Sequence, residues 1–129
     1  MDQPPKTRII SIVDDDVVAR EGAADLINAL GFTTTTFASA EEFLQSVKAE
    51  DTSCLITDLQ MPGLSGLELQ SHLLAVGRKI PVIFITAFPQ ESVRRRALSA
   101  GAIAFLSKPF QEAALVQSLE VALKVKVRI

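Results

Sequence analysis

Two rhythms of apolar and polar positions alternate along this chain. Short, largely apolar runs at residues 8–13, 53–58, 81–86 and 102–106 are separated by stretches in which apolar residues recur at helical spacing. The near-continuous apolar runs predict strands covered on both faces. Between the first two runs, Ala23, Leu26, Ile27 and Leu30 hold the spacing of one buried helical face. That predicts a first helix over residues 16–30, stopped by Gly31. Thr33–Phe37 is rich in β-favouring threonine but poor in apolar bulk, which predicts an edge strand partly open to solvent. Ser39-Ala40-Glu41-Glu42 has the form of a capping box and opens a second helix with Ala40, Phe43, Leu44 and Val47 inward. Residues 59–65 contain Pro62-Gly63 and read as a loop, after which Leu69, Leu73 and Val76 mark a third helix ending at Gly77. Residues 89–100 turn only Val93, Ala97 and Ala100 inward, so the fourth helix is expected to be short and loosely anchored, with Gly101 as its stop. Residues 110–127 close the pattern, with Leu115, Leu119, Ala122 and Leu123 on the packed side.

Five strand-plus-helix units in series predict an α/β fold with a parallel sheet and right-handed crossovers. The flavodoxin-like, doubly wound (βα)5 order 2-1-3-4-5 fits best, because it sends the threonine strand to an edge and makes strands 1 and 3 neighbours at the topological switch point. One domain over residues 8–127 is expected, preceded by a short tail at residues 1–7. At 129 residues the chain can bury roughly two-thirds of its unfolded surface and needs no staples. A net charge of -2 gives no field drawing it to nucleic acid, so no direct nucleic-acid binding is expected. The single Cys54 lies in an apolar run and reads as a packing residue in a reducing compartment. Neither a signal-peptide core nor an apolar run of about 18 residues occurs, so a cytoplasmic protein without a membrane span is expected.

The chemistry gathers where the apolar runs end: Asp14 and Asp15 after the first strand, Asp58 at the end of the third, Thr86 at the end of the fourth and Lys108 after the fifth. In a parallel sheet these ends converge, where open α/β sheets place their sites. Asp14, Asp15 and Asp58 would repel one another, and a hard divalent cation held by oxygen ligands and water, Mg2+ above all, neutralises them most cheaply. Asp16 reads instead as the amino-terminal cap of the first helix. A carboxylate at Asp58 beside Mg2+ can attack phosphorus in line while metal and Lys108 neutralise the equatorial oxygens. The Thr86 hydroxyl can hydrogen-bond a phosphoryl oxygen.

These residues resemble the receiver domains of two-component response regulators, over nearly the whole chain. The resemblance is carried by Ile12-Val13-Asp14-Asp15-Asp16, by Thr57-Asp58-Leu59-Gln60-Met61-Pro62-Gly63-Leu64-Ser65-Gly66, by Ile85-Thr86-Ala87, and by Phe105-Leu106-Ser107-Lys108-Pro109-Phe110. It is greatest to the FixJ-like branch, whose members usually carry a helix-turn-helix output domain, a segment these residues do not contain. The resemblance implies that Asp58 accepts a phosphoryl group from a sensor histidine kinase, and that Asp15 binds Mg2+ directly while Asp14 assists through water. The Gln60 backbone carbonyl is implied as a further ligand, Thr86 as the switch hydroxyl and Lys108 as the phosphate-binding lysine. A cis Lys108–Pro109 peptide is expected on the same basis. Phe105 stands where many receivers carry a switch tyrosine, so the rotating group would be apolar. The fourth helix, fifth strand and fifth helix are the expected output face, with a homodimer through it as one form of output. Phe88-Pro89 is expected to crowd the entrance to the site and to change how fast a phosphoaspartate hydrolyses.

Three other classes compete. Asp14-Asp15-Asp16-Val17-Val18 fits the Asp-x-Asp-x-Val pattern of haloacid-dehalogenase-like phosphatases, with Asp14 as nucleophile and Asp16 as acid, but the acidic pair such enzymes need after the lysine is reduced to the separated Glu112 and Glu120. A flavin- or nucleotide-binding module would need a phosphate cradle where three aspartates repel phosphate. A protein-binding module without phosphotransfer has the same fold but no use for the full residue set. His72 reads as an exposed helix residue and not a phosphodonor, and Arg94-Arg95-Arg96 as a solvated basic face.

Overall fold

The computed structural model describes residues 8–127, and the expected tail at residues 1–7 lies outside them. Five parallel strands, β1 (Ile9–Val13), β2 (Thr33–Phe37), β3 (Cys54–Asp58), β4 (Val82–Thr86) and β5 (Ala104–Ser107), form one sheet in the order 2-1-3-4-5. Helices α1 (Val17–Ala29) and α5 (Glu112–Leu123) pack on one side; α2 (Ala40–Gln45), α3 (Gly66–Ala75) and α4 (Glu91–Ser99) belong to the other. Strand alternation divides the core accordingly. Ile10, Ile12, Ile56, Ile83 and Ile85 meet Ile27, Leu115 and Leu119, while Val13, Leu55 and Phe84 meet Phe43, Leu69 and Leu73. The edge strand β2 is largely unburied apart from Phe37, in keeping with its threonines.

Several element ends differ from the sequence reading, each for a local reason. Helix α2 stops at Gln45 because Ser46 is extended; Val47 opens a short 3-10 segment (Val47–Asp51) and is exposed, and Ala49 fills the core in its place. Only half of the capping box at Ser39 forms: Ser39 Oγ accepts from the Glu42 N–H, but the Glu42 carboxylate accepts from the Ala38 N–H. The complete box is at α3, where Ser65 Oγ accepts from the Glu68 N–H and Glu68 accepts in return from the Ser65 N–H. Val76 caps α3 and is exposed, Ala100 caps α4 and is exposed, and only Ala97 of α4 is buried. Helix α5 ends at Leu123, since Lys124 adopts the left-handed conformation (φ 56°) and the Val125 N–H turns back to the Glu120 carbonyl.

Polar residues inside the strands are satisfied. Ser11 lies fully buried in β1, with its hydroxyl 2.6 Å from the Thr52 hydroxyl. Gly66 opens α3 against the end of β3: a Cβ there would overlap the Asp58 carbonyl oxygen and sit 3.0 Å from both Leu59 Cα and the Phe84 ring. Gly66→Ala is therefore expected to lower unfolding free energy in urea by about 1–3 kcal/mol, the usual range for overpacking. An unchanged midpoint would show that this junction gives way freely.

Candidate functional site

The strand register fixes where the functional side chains emerge. Val13 of β1 is opposite Thr57 of β3, which sets Asp14 beside Asp58; Asp58 is opposite Ile85 of β4, and Thr86 is opposite Ser107 of β5, which brings Lys108 over the same end of the sheet. The Asp14 N–H donates to the Phe37 carbonyl at 3.1 Å and the Lys108 N–H to the Thr86 carbonyl at 2.7 Å, so the strand ends are tied to their neighbours before they turn into loops. The sequence-predicted residues Asp14, Asp15, Asp58, Thr86 and Lys108 thus share one end of the sheet.

Lys108 is the hub. Its Nζ donates to Asp14 Oδ2 at 2.8 Å and to Asp58 Oδ2 at 3.1 Å, and the Lys108–Pro109 peptide that follows is cis. Asp14 is buried; its second oxygen accepts from the Asp16 N–H at 3.0 Å, and its backbone carbonyl accepts from Arg20 Nη1 at 2.7 Å. Asp15 is exposed, and one carboxylate oxygen from each of Asp14, Asp15 and Asp58 lies within 4.8 Å of the others. That donor set, all hard oxygen, suits a small divalent cation. Asp16 caps α1 by accepting from the Val18 N–H at 3.0 Å, so its carboxylate is used by the helix and not by an acid-base pair with Asp14.

Burial pushes the Asp58 carboxyl above its ordinary value, an effect that the hydrogen bond and charge of Lys108 oppose and the negative charge of Asp14 reinforces. For Lys108 burial works against the charged form, yet the bonds and charges of Asp14 and Asp58 outweigh it and hold the ammonium above its ordinary value. The Asp58 shift makes a stability statement. A carboxyl whose folded pKa is raised loses stability as pH climbs from the ordinary carboxylate range through the raised value, and the loss persists at neutral pH. In the metal-free protein Asp58→Asn is expected to raise stability at neutral pH, because the amide carries no charge to be desolvated. The gain should vanish in acid, and urea melts across pH would reveal it; a variant less stable at neutral pH would contradict the expectation.

Thr86 is buried, and its hydroxyl accepts from the Phe88 N–H at 3.1 Å. Phe105, half-buried, tilts against Phe84 with ring centroids 6.2 Å apart. The Gln60 N–H donates weakly to Asp58 Oδ1 at 3.4 Å, so the backbone of the residue expected to offer its carbonyl lies beside the carboxylate. Phe88 is exposed on the rim. His72 is exposed on α3, away from the strand ends, and Arg94 and Arg95 pair with Glu91 on the open face of α4. Beside the cluster a cleft of about 470 Å3 opens between α1 and the segment after β5, lined by Ile56, Val18, Gly22 and Phe110 and reaching Asp58 and Lys108. Cys54 is buried and its thiol is pushed up to about 12 by desolvation, so it packs and does no chemistry.

Sequence reasoning missed the roles of Arg20 and Glu41, and met Gly66 only as part of a motif, without its packing role. Each acts on a backbone group of another segment, which leaves no mark in local periodicity. The Ser65–Glu68 box, by contrast, was available in the Ser-x-x-Glu spacing.

Comparison with known proteins matches the response regulator receiver domain over residues 10–120. Nodulation protein W of Bradyrhizobium diazoefficiens is 40% identical over 114 residues, 88% of this chain and 50% of that protein. The solved structure of response regulator StyR superposes with a TM-score of 0.84 at 43% identity, covering 92% of this chain and 60% of that one. That of FixJ-N superposes at 0.83 and 32% identity, covering 97% of this chain and all of the other. The chain spans about half the length of the curated relatives it matches. Among the described residues no helix is long and apolar enough to cross a membrane.

Proposed function

The chain belongs to the receiver-domain family of response regulators, and from that premise we propose that Asp58 is the phosphoacceptor of a two-component phosphorelay, served by the receiver unit of residues 8–127. The observation that carries this reading is the double approach of Lys108 Nζ to Asp14 and Asp58, with the Asp15 carboxylate in the same cluster. Receiver domains interact with histidine kinases, and a phosphohistidine is the donor here. An Asp58 carboxylate oxygen bonds to phosphorus as the bond from phosphorus to the donor nitrogen breaks, and the nitrogen keeps the electron pair. Lys108 faces the phosphoryl oxygens, and the cleft lined by Gly22 and Phe110 opens beside Asp58 and Lys108. Attack by water later releases inorganic phosphate and restores the carboxylate. The chain is thus a phosphoacceptor that slowly resets itself, not an enzyme turning over a diffusing substrate. With a histidine kinase as donor, the cytoplasm is the compartment this reading assigns to the event.

Asp15, Asp58 and the Gln60 carbonyl would hold Mg2+, with Asp14 assisting through water. When bound, the ion supplies positive charge to the phosphoryl oxygens. Asp15→Asn is expected to weaken Mg2+ binding by at least about tenfold, since even outer partners of metal sites carry that much. Because the chain has no Trp or Tyr, an NMR titration of amide shifts is the suitable measurement. Affinity equal to wild type would remove Asp15 from the metal shell.

In the switch, a phosphoryl oxygen draws the Thr86 hydroxyl from the Phe88 N–H, and Phe105 moves further inward beside Phe84. Full burial of such a side chain is favourable by about 1.5–3 kcal/mol, and Phe105 starts half-buried, so the gain is a fraction of that. It biases two nearly balanced states. The face formed by α4, β5 and α5, including Arg94-Arg95-Arg96, carries the output, with a homodimer through it as one form of readout.

A further inference from the structure

The loop from Leu59 to Ser65 connects the proposed phosphoacceptor to α3, and its base is closed by the Gly66 N–H donating to the Leu59 carbonyl at 2.9 Å. The tip, Met61-Pro62-Gly63-Leu64, has no such closure of its own. Among the described residues its one hydrogen bond is from the Leu64 N–H to Glu41 Oε2, at 3.0 Å across 23 residues of sequence. Glu41 stands on α2, half-buried, with its carboxylate so close to Gly63 that a Cβ there would overlap it. Gly63 also has φ 77°, so both space and backbone conformation reserve that position for glycine. The charge-assisted bond thus pins the tip to α2. Gln60 is hung between two fixed points: the rigid end of β3 on one side and the Glu41 clamp on the other.

We propose that Glu41 is a positioning residue for metal binding and phosphotransfer: its carboxylate fixes the loop tip, and through it the backbone of Gln60 beside Asp58. This rests on the metal shell assigned above. Glu41 does not face the cluster itself, because its carboxylate is engaged with the Leu64 N–H and Gly63. Its influence is exerted through the backbone, in the manner of an outer partner that orients a ligand.

The test compares wild type, Glu41→Ala and Glu41→Gln. The glutamine keeps an oxygen able to accept from the Leu64 N–H. In the metal-free proteins, amide hydrogen exchange at Leu64 should accelerate strongly in Glu41→Ala and stay near wild type in Glu41→Gln. In a Mg2+ titration followed by amide shifts, Glu41→Ala should bind about tenfold more weakly, and Glu41→Gln should recover most of the affinity. Labelling by acetyl phosphate should follow the same order. If Glu41→Ala melts earlier but keeps wild-type Mg2+ affinity and labelling rate, Glu41 only stabilises the fold and the proposal is overturned. If Glu41→Gln binds Mg2+ as weakly as Glu41→Ala, positioning through Leu64 is overturned in favour of a role for the charge. Failure of wild type itself to be labelled would count against the phosphoacceptor reading, an outcome distinct from either of these.

Discussion

Lys108→Met is expected to slow labelling of Asp58 by acetyl phosphate about 10²–10³-fold, the range seen when one preorganised donor to a developing charge is removed. The side chain is 22% exposed and lies between two carboxylates that are 8% and 11% exposed. No other lysine or arginine side chain donates to either carboxylate among the described residues. Removing it leaves Asp14 and Asp58 facing each other across the end of the sheet. Breaking a fully buried pair costs about 3–5 kcal/mol; partial exposure, and the freedom of two carboxylates to share a proton, reduce the expected loss here to about 1–3 kcal/mol. The sign of the pH dependence follows. Without Lys108 the Asp58 carboxyl rises further, so the deficit against wild type should be small in acid, grow as pH climbs through the carboxylate range, and shrink again when Mg2+ is added. Urea unfolding at acidic and neutral pH, with and without Mg2+, measures all three. A variant labelled at the wild-type rate would remove Lys108 from the chemistry.

The fold was legible because its core is written in two periods that do not overlap. The isoleucines of β1, β3 and β4 form short apolar runs, and the Ala23–Ile27 and Leu115–Leu119 pairs keep the i, i+4 spacing of buried helical faces. The edge position of Thr33–Phe37 could be read for the complementary reason: threonines pair well in a sheet but bring little to a core. Element ends were harder, because they depend on single backbone conformations. Lys124 ends α5 in a left-handed turn that usually selects glycine, and nothing in Leu123-Lys124-Val125 announces it. Ser46 ends α2 early, and burial passes from Val47 to Ala49 by a short 3-10 turn that has no apolar stripe of its own.

The site divides along the same line. Asp14, Asp15, Asp58, Thr86 and Lys108 were visible because each stands at or just beyond the carboxyl end of a largely apolar strand, and a parallel sheet brings such ends together. The groups that hold them were not visible. Arg20 donates to a backbone carbonyl, Glu41 accepts from a backbone N–H, and Gly66 leaves room for a carbonyl. Backbone partners are the same at every residue, so the sequence carries no complementary letter to match. Gln70 is a further case: a glutamine on a helix face reads as solvated, yet it is buried and its amide donates to the Ala97 carbonyl of α4 at 3.1 Å.

The second large effect concerns Asp58 itself. Asp58→Asn keeps the shape of the side chain and an oxygen that can accept from Lys108, but it removes the nucleophilic carboxylate, so covalent labelling at this position should fall to background. Asp14 is no substitute: it is buried, and its oxygens are engaged by Lys108 and the Asp16 N–H. Asp15 is exposed and lacks the lysine contact. The direct measurement is to treat wild type and Asp58→Asn with acetyl phosphate and Mg2+, reduce with borohydride, and map the peptides by mass. Reduction turns a phosphorylated aspartate into homoserine and leaves free aspartate unchanged. The expected result is homoserine at position 58 in wild type and at no aspartate in Asp58→Asn. Homoserine at position 14 or 15, or none in wild type, would contradict the assignment of Asp58 as the phosphoacceptor.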